Sequence, residues 1–423
     1  MTIAAGTSPP PNGRVTARSH AAEQDLISRD PRVAALRLVF NDDEELSAAL
    51  NRPAHVTRIR YKPASSVVIT YSSDPFAAPH DRWGDHGWLA SYVDDSKVSK
   101  SLLNARRGNA TAARVEGIRG TVHGTASADR RLTGTLARLD QACPQLTETS
   151  TLLRHNPHRR LLLRTLGATD LVVKVTPRTH RASADQQFRQ VEFLDHLTSE
   201  GIPVVRLWHP GGLRDVVAGQ WWGTGDLAAV QSTDAAGAAG QALAALHSLR
   251  LAPGQFAIGA RNADPALAGS ESESGRAAGA IAVVLPEFAQ RAHRLAQAIN
   301  DRRAASDRPS DPVLTHGDFS PDQVLVRPGE IRLIDFDRVG WSDPERDLGS
   351  FAAAAIILRS PDLAVALFDG YVGAGGELHP DAINDWLAHA LLSRAIDPFR
   401  YRAPDWVGDV ERILTAAEQV LES

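Results

Sequence analysis

A chain of 423 residues that is 43% hydrophobic and 23% charged carries enough apolar material for two or three cored domains, which excludes disorder throughout. Its net charge of −4 gives no general case for nucleic-acid binding, and its lone cysteine, Cys143, excludes an internal disulfide framework and a cysteine zinc site. The longest apolar run, residues 351–358, is too short to span a bilayer, so no membrane partner and a cytoplasmic location are expected.

Residues 1–30, with their prolines, glycines and small polar residues, read as a flexible tail rather than a targeting segment. Residues 31–50 mix Val33, Leu36, Leu38, Val39 and Leu46 with charges and carry no clear period. Residues 58–63, a break at 64–66 and residues 67–71 then predict strand, turn and strand, with residues 88–93 as a third strand. The pattern recurs ninety-four positions on, in residues 152–157, a break at 158–160, residues 161–164 and a third strand at 171–175. Lys174 lies inside that last apolar run, where the first copy has Ser91 or Tyr92 at the matching place, so the two stretches read as a weak internal repeat. Between the copies, residues 97–131 hold eight basic residues against Glu116 and Asp129. A solvated helical face is the plain reading of this patch, and a docking surface for an acidic peptide or partner protein is the functional one.

Phe188, Val191, Leu194 and Leu197 predict a helix over 183–200, opened by Ser183 and Gln186 as a capping box and stopped at Gly201. Glu192, one turn after Phe188, is placed to point inward. Strands are expected at 204–208 and 216–222, and Gly223-Thr224-Gly225 reads as a flexible connector after the second. From Asp234 the chain turns helical, with Ala239, Leu243, Leu246 and His247 on one stripe, and His247 is expected as a packed structural histidine. Residues 262–280, rich in alanine, glycine and serine, read as a surface insertion, and residues 351–423 as helices broken at 373–376, Pro398 and Pro404.

The stretch 313–348 concentrates the chemistry. Residues 324–326 and 331–334 read as two short strands joined at Pro328-Gly329, which puts the residues before the first and after the second at one end of a hairpin. Asp318 and Asp335 then face a shared space, with Asp337 beside them and His316 able to brace the loop. Converging carboxylates of this kind suit a magnesium and phosphate site.

The motifs His316-Gly317-Asp318, with Gln323 five places after Asp318, Ile334-Asp335-Phe336-Asp337 and residues 343–348 resemble the aminoglycoside phosphotransferase and choline kinase family. The resemblance covers about residues 147–423. It implies an α+β, bilobal protein-kinase-like fold: an antiparallel-sheet N-lobe over 147–228 and a helical C-lobe over 229–423, preceded by an additional α+β domain over 31–146 that resembles a degenerate N-lobe. It also implies roles. Asp318 matches the catalytic aspartate, with His316 bracing its loop; Lys174 matches the phosphate-binding lysine and Glu192 the glutamate that orients it; Gly223 and Gly225 lie near the nucleotide base; and Asp335, Gln323 and Asp337 fall at the metal. Two departures stand out: glutamine replaces the family's asparagine at 323, and residues 156–160, where Arg159 and Arg160 are expected to be exposed, replace a glycine-rich loop. The implied cofactors are ATP or GTP and Mg2+. The expected function is phosphorylation of a hydroxyl on a small molecule of antibiotic or amino-alcohol type; the alternatives are a Ser/Thr kinase that acts on a ribosomal precursor peptide with a partner lyase, and a pseudokinase scaffold.

Overall fold

The computed structural model describes residues 15–73, 85–167, 170–178, 189–252, 254–258, 272–305 and 311–423. Two five-stranded antiparallel sheets come first in the chain. The first holds β1 (His55–Lys62), β2 (Ser66–Ser72), β3 (His86–Tyr92), β4 (Ala112–Arg114) and β5 (Thr121–Thr125) in the order β1-β2-β3-β5-β4. The second holds β6 (Ser150–Asn156), β7 (Arg160–Thr165), β8 (Leu171–Val175), β9 (Leu207–Trp208) and β10 (Val216–Gln220) in the order β6-β7-β8-β10-β9. Each has a helix after its third strand, Ser96–Arg107 in one and Gln190–Ser199 in the other. Each also has a register shift in its first strand, at Val56/Arg58 and at Leu152/Arg154. Same strand order, same helix position and same bulge make the repeat a structural one.

The register corrects the sequence match at the lysine. Arg154 pairs with Leu162, which pairs with Lys174; the corresponding chain in the first sheet runs from Arg58 through Thr70 to Trp88. Trp88, fully buried, therefore stands where Lys174 does, and not Ser91 or Tyr92. The first sheet's helix covers that face with Val98 and Leu102, so it encloses a small core with Val68 and Ala90 instead of a cleft.

Alternation along the second sheet sorts its side chains by face. Leu161, Leu163, Val173 and Val175 pack under Leu132, Leu136 and Leu139 around helix Thr133–Ala142, which precedes the sheet in the chain. Leu162 and Val172 turn the other way, toward Leu325 and Ile334. Lys174, two residues from Val172, shares that second face.

The remaining strands are β11 (Gly225–Asp226), β12 (Val313–Thr315), β13 (Val324–Arg327), β14 (Glu330–Leu333) and β15 (Gly340–Ser342), with β11-β13-β14 and β12-β15 as two small sheets. Long helices fill the rest, among them Thr233–Ser248, Glu345–Ile357, Asp362–Gly373, Pro380–Arg394 and Trp406–Glu422. Within the stretch expected as a flexible tail, Ala17–Arg29 is a helix whose Leu26 is buried. The principal core runs from Leu26 and Phe40 to Leu414 and Ala417, so the amino-terminal helices pack into the carboxy-terminal ones. Residues 31–50 form helices Leu36–Phe40 and Asp43–Leu50, the second capped by the Asp42 carboxylate on the Glu45 N–H at 2.8 Å. The expected insertion at 262–280 is in part helix, Glu273–Val284, while Ser183, Gln186 and Phe188 lie outside the described residues. The expected strands at 204–208 and 216–222 are shorter, at Leu207–Trp208 and Val216–Gln220. No helix among the described residues is long and apolar enough to cross a membrane.

Candidate active site

The hairpin of β13 and β14 pairs Val324 with Leu333, so residues 323 and 334 meet at its open end, where the Ile334 N–H donates to the Gln323 carbonyl at 3.0 Å. The loop that carries Asp318 runs into one side of this end, and Asp335 leaves from the other. Asp335 sits in the left-handed region at φ 63°, which swings its carboxylate out of the strand line toward the second sheet.

Four side chains meet there. Lys174 Nζ donates to Asp335 Oδ1 at 3.1 Å and to Asp337 Oδ2, and Arg160 Nη1 donates to Asp335 Oδ2 at 3.1 Å and lies 3.7 Å from Asp337. Burial works to raise the Asp335 carboxyl, but Lys174 and Arg160 outweigh it and hold it well below the usual carboxylate range. Burial likewise works against the charge of Arg160, and Asp335, Asp337 and Asp318 overcome it. Arg160 thus enters the site from the turn where exposure was expected. Its period-2 relation to Leu162 on the cleft face is the signal that marks it.

Glu192 is not the partner of Lys174. It is exposed on helix Gln190–Ser199, because Phe193, Leu194 and Leu197 take that helix's inward face. Lys174 finds its counter-charges on Asp335 and Asp337 instead, and Gln190, at the first turn of the helix, donates to Asp337 Oδ1 at 3.2 Å.

The loop under Asp318 is held by a residue to which the sequence reading gave no role. Asp347, fully buried at the start of helix Glu345–Ile357, accepts the His316 N–H at 2.6 Å and the Gly317 N–H at 2.8 Å, and His247 Nε2 lies 3.2 Å away. Burial opposes the Asp347 charge, yet His247, His316 and the Gly317 N–H hold its pKa below the usual value. His247 is a packed residue, as expected, and its Nδ1 meets the Tyr371 hydroxyl at 2.9 Å. His316 Nε2 bonds the Ile334 carbonyl at 2.8 Å, which joins the loop to the strand before Asp335. Gly317, at φ 80°, leaves no room for a side chain: a Cβ there would lie 2.0 Å from the Arg338 carbonyl oxygen. Asp318 itself is 44% exposed, with Arg338 Nε 3.6 Å away.

Leu162 and Val172 from the sheet, Leu325 and Ile334 from the hairpin, and Trp222 form one apolar cluster beside this polar group. The Gly223–Gly225 connector borders it, with the Thr224 N–H donating to the Val326 carbonyl at 2.8 Å. A flat base next to a charged phosphate centre needs this pairing of surfaces.

The donor set fits a hard divalent cation. Asp335 and Asp337 offer acceptor-only oxygens, and the Gln323 amide nitrogen donates to Asp322 Oδ2 at 2.9 Å, which leaves its amide oxygen as the atom that could serve a metal. Among the described residues no group of three or more His, Cys, Asp or Glu forms a closed cage. A magnesium ion that keeps waters and phosphate oxygens needs only one or two carboxylates.

Some of the basic residues in 97–131 are engaged within the fold and others face outward. Arg114 pairs with Asp95 at 3.0 Å, Lys97 and Arg130 lie over the Tyr92 ring, and Lys100, Arg106 and Arg107 are exposed.

Residues 149–382, more than half of the chain, match the model of the phosphotransferase enzyme family. Among solved structures, a spectinomycin phosphotransferase in complex with ADP and spectinomycin superposes with a TM-score of 0.50 at 12% identity, over 69% of this chain and 97% of that one. An amicoumacin kinase in complex with AMP-PNP and Ca2+ gives 0.49 at 15% identity, over 68% and 92%. A choline/ethanolamine kinase family protein from Mesorhizobium loti gives 0.46 at 17% identity, over 69% and 95%. No curated protein matches the chain in sequence. At 12% identity the likeness to the first of these is one of fold alone, the bilobal protein-kinase-like arrangement.

Proposed function

The chain belongs to the phosphotransferase enzyme family, and from this premise we propose that it transfers the terminal phosphate of ATP or GTP to a hydroxyl of a small molecule. The observation that carries this reading is the meeting of Lys174, Arg160, Asp335 and Asp337 beside the Leu162, Val172, Leu325 and Ile334 cleft, one loop from the accessible carboxylate of Asp318.

In the proposed reaction the apolar cluster and the Gly223–Gly225 backbone hold the base. Lys174 and Arg160 turn from the aspartates to the phosphate oxygens, and the charge they bring offsets the charge that builds up in transfer. A divalent cation held by Asp335, Asp337 and the Gln323 amide oxygen would supply further neutralisation of those oxygens. Asp318 accepts the acceptor's hydroxyl hydrogen and aligns its oxygen in line with the leaving group, while Asp347 and His316 keep the loop in position.

Phosphate transfer and nucleotide hydrolysis, measured with magnesium for the wild type and Asp318→Asn, test this reading. The substitution is expected to lower turnover by about 10² to 10⁴. Spectinomycin, amino alcohols, hydroxy acids and serine- or threonine-containing peptides belong on the acceptor panel. A wild type no more active than Asp318→Asn on all of them would leave a nucleotide-binding scaffold.

A further inference from the structure

A field of arginines that the phosphate chemistry above leaves unused reaches Asp318 through Arg338. Arg58 and Arg60 come from β1, Arg131 precedes helix Thr133–Ala142, Arg159 sits in the β6–β7 turn, Arg338 follows Asp335, and Arg400 ends helix Asp397–Arg400. Arg400 has an acid partner, Asp397 at 2.8 Å, and Arg338 has Asp318. Arg60 and Arg159 have no ion-pair partner among the described residues. Burial and then Arg131, Arg58 and Arg400 push Arg60 below its ordinary pKa, with only the Tyr92 phenol acting the other way. Burial followed by Arg60, Arg400, Arg58 and Arg338 does the same to Arg159.

Tyr401 ties Arg58 of this field to Arg154 of the second sheet. Its hydroxyl oxygen accepts from Arg58 Nη1 at 2.9 Å and from Arg154 Nη2 at 2.8 Å, and the Arg58 guanidinium lies over its ring at 4.9 Å. Arg58 and Arg154 hold the same place in the two sheets, one residue past each bulge. With both guanidiniums donating to its oxygen, the phenol keeps its own hydrogen as a further donor.

Arg58, Arg60 and Arg400 are half-buried while Arg131, Arg159 and Arg338 are exposed. Like charges gathered in one field repel, and a bound oxyanion offsets that repulsion. We propose that this field is the acceptor subsite and that the acceptor is a small anion, with a phosphate or carboxylate group beside the hydroxyl that receives the new phosphate. The proposal rests on the transferase reading and narrows it. Arg338 spans from the field to Asp318, so an anion held by the arginines sets its hydroxyl next to that carboxylate. In the transfer, the bond from the γ-phosphorus to its bridging oxygen breaks, the bond to the acceptor oxygen forms, the acceptor proton passes to Asp318 and the nucleoside diphosphate leaves. A cationic amino alcohol would meet repulsion at this subsite.

The test has two arms. First, sulfate and malonate are titrated by calorimetry into protein saturated with ADP and magnesium, so that the nucleotide site is filled. Saturable binding is expected, with sulfate against malonate telling a phosphate subsite from a carboxylate one. Arg60→Gln and Arg159→Gln are each expected to weaken it by tenfold or more, and Arg114→Gln, at the surface pair with Asp95, to leave it unchanged. Without anion, both subsite variants are expected to melt no lower than the wild type, because they relieve repulsion. Absent or non-saturable binding, or equal affinity in all four proteins, overturns the subsite. Second, turnover is compared within acceptor pairs: a hexose against its 6-phosphate, and glycerol against glycerate. Faster turnover of the anionic member is expected, and a preference for neutral or amino acceptors overturns the proposal while it leaves the transferase standing. Selective anion binding with no transfer to any acceptor and no nucleotide hydrolysis would instead count against the transferase reading alone.

Discussion

Lys174 has 5% of its side chain exposed and serves two carboxylates, so its removal does more than delete one contact. Lys174→Met leaves Arg160 to face Asp335 and Asp337 without it, and is expected to lower stability by roughly 1–3 kcal/mol, read as a shift in urea midpoint at constant slope. Turnover is expected to fall by about 10² to 10³, because the charge offered to the phosphates is lost. The depressed pKa of Asp335 has a pH signature: the stabilisation it brings is complete above the usual carboxylate range and is lost as pH falls below it. Asp335→Asn should therefore flatten the acid limb of the stability profile, measured from pH 6 down to the unfolding transition. Asp318, Asp335 and His316 were legible as neighbours because they lie within twenty residues on one hairpin. Arg160 and Gln190 were not, since the contacts they make depend on how a distant sheet and helix land on that hairpin. Glu192 misled because the burial of Phe193, Leu194 and Leu197 fixes the rotation of its helix, and sequence spacing left that rotation open.

At the level of elements, the loop before β13 is rigid for a reason outside itself. Helix Glu345–Ile357 presents Asp347 to two consecutive loop N–H groups and to His247 of helix Thr233–Ser248, so two helices and a loop share one buried carboxylate. Asp347→Ala strands those donors and is expected to cost about 3–5 kcal/mol, measured by denaturant unfolding. Gly317→Ala is expected to displace the loop from Arg338 and to reduce turnover far more than nucleotide affinity, which fluorescence titration would separate. The strand pattern and both hairpins were plain in the sequence, because β-branched and apolar runs between turn residues carry the signal locally. The equivalence of Lys174 and Trp88 was hidden: the paired positions are unequally spaced along the chain, at 58, 70 and 88 in one copy and at 154, 162 and 174 in the other, and only cross-strand pairing restores the register.

Across the whole molecule, the region before residue 147 completes the core of the second sheet. Leu132, Leu136 and Leu139 cover the sheet face made by Leu152, Leu161, Leu163 and Val173, so a fragment beginning at residue 147 would expose that face. Such a fragment is expected to bind hydrophobic dye and to aggregate on expression. Glu23 records the joining of the chain's two ends. It is buried 3.5 Å from Arg402, and burial, only partly countered by Arg402, raises its pKa to about 7. A raised carboxyl favours the fold fully below its ordinary value and loses that contribution as pH rises through about 7. Glu23→Gln is thus expected to gain on the wild type by roughly 3 kcal/mol between pH 4.5 and pH 8, read from thermal or urea unfolding.

The second sheet is held at both of its edges. At one, Arg154 on β6 is fastened to Tyr401; at the other, the Leu333 N–H bonds the Pro203 carbonyl at 2.7 Å and the connector after β10 bonds β13. A plank fixed at one end swings under load, whereas one resting on two piers barely bends. The gap between the lobes should therefore keep nearly the same width whether ADP is present or not. Cys143, the sole thiol, gives a ready anchor for one label, and a second at Val372→Cys on the exposed face of helix Asp362–Gly373 would measure that width directly.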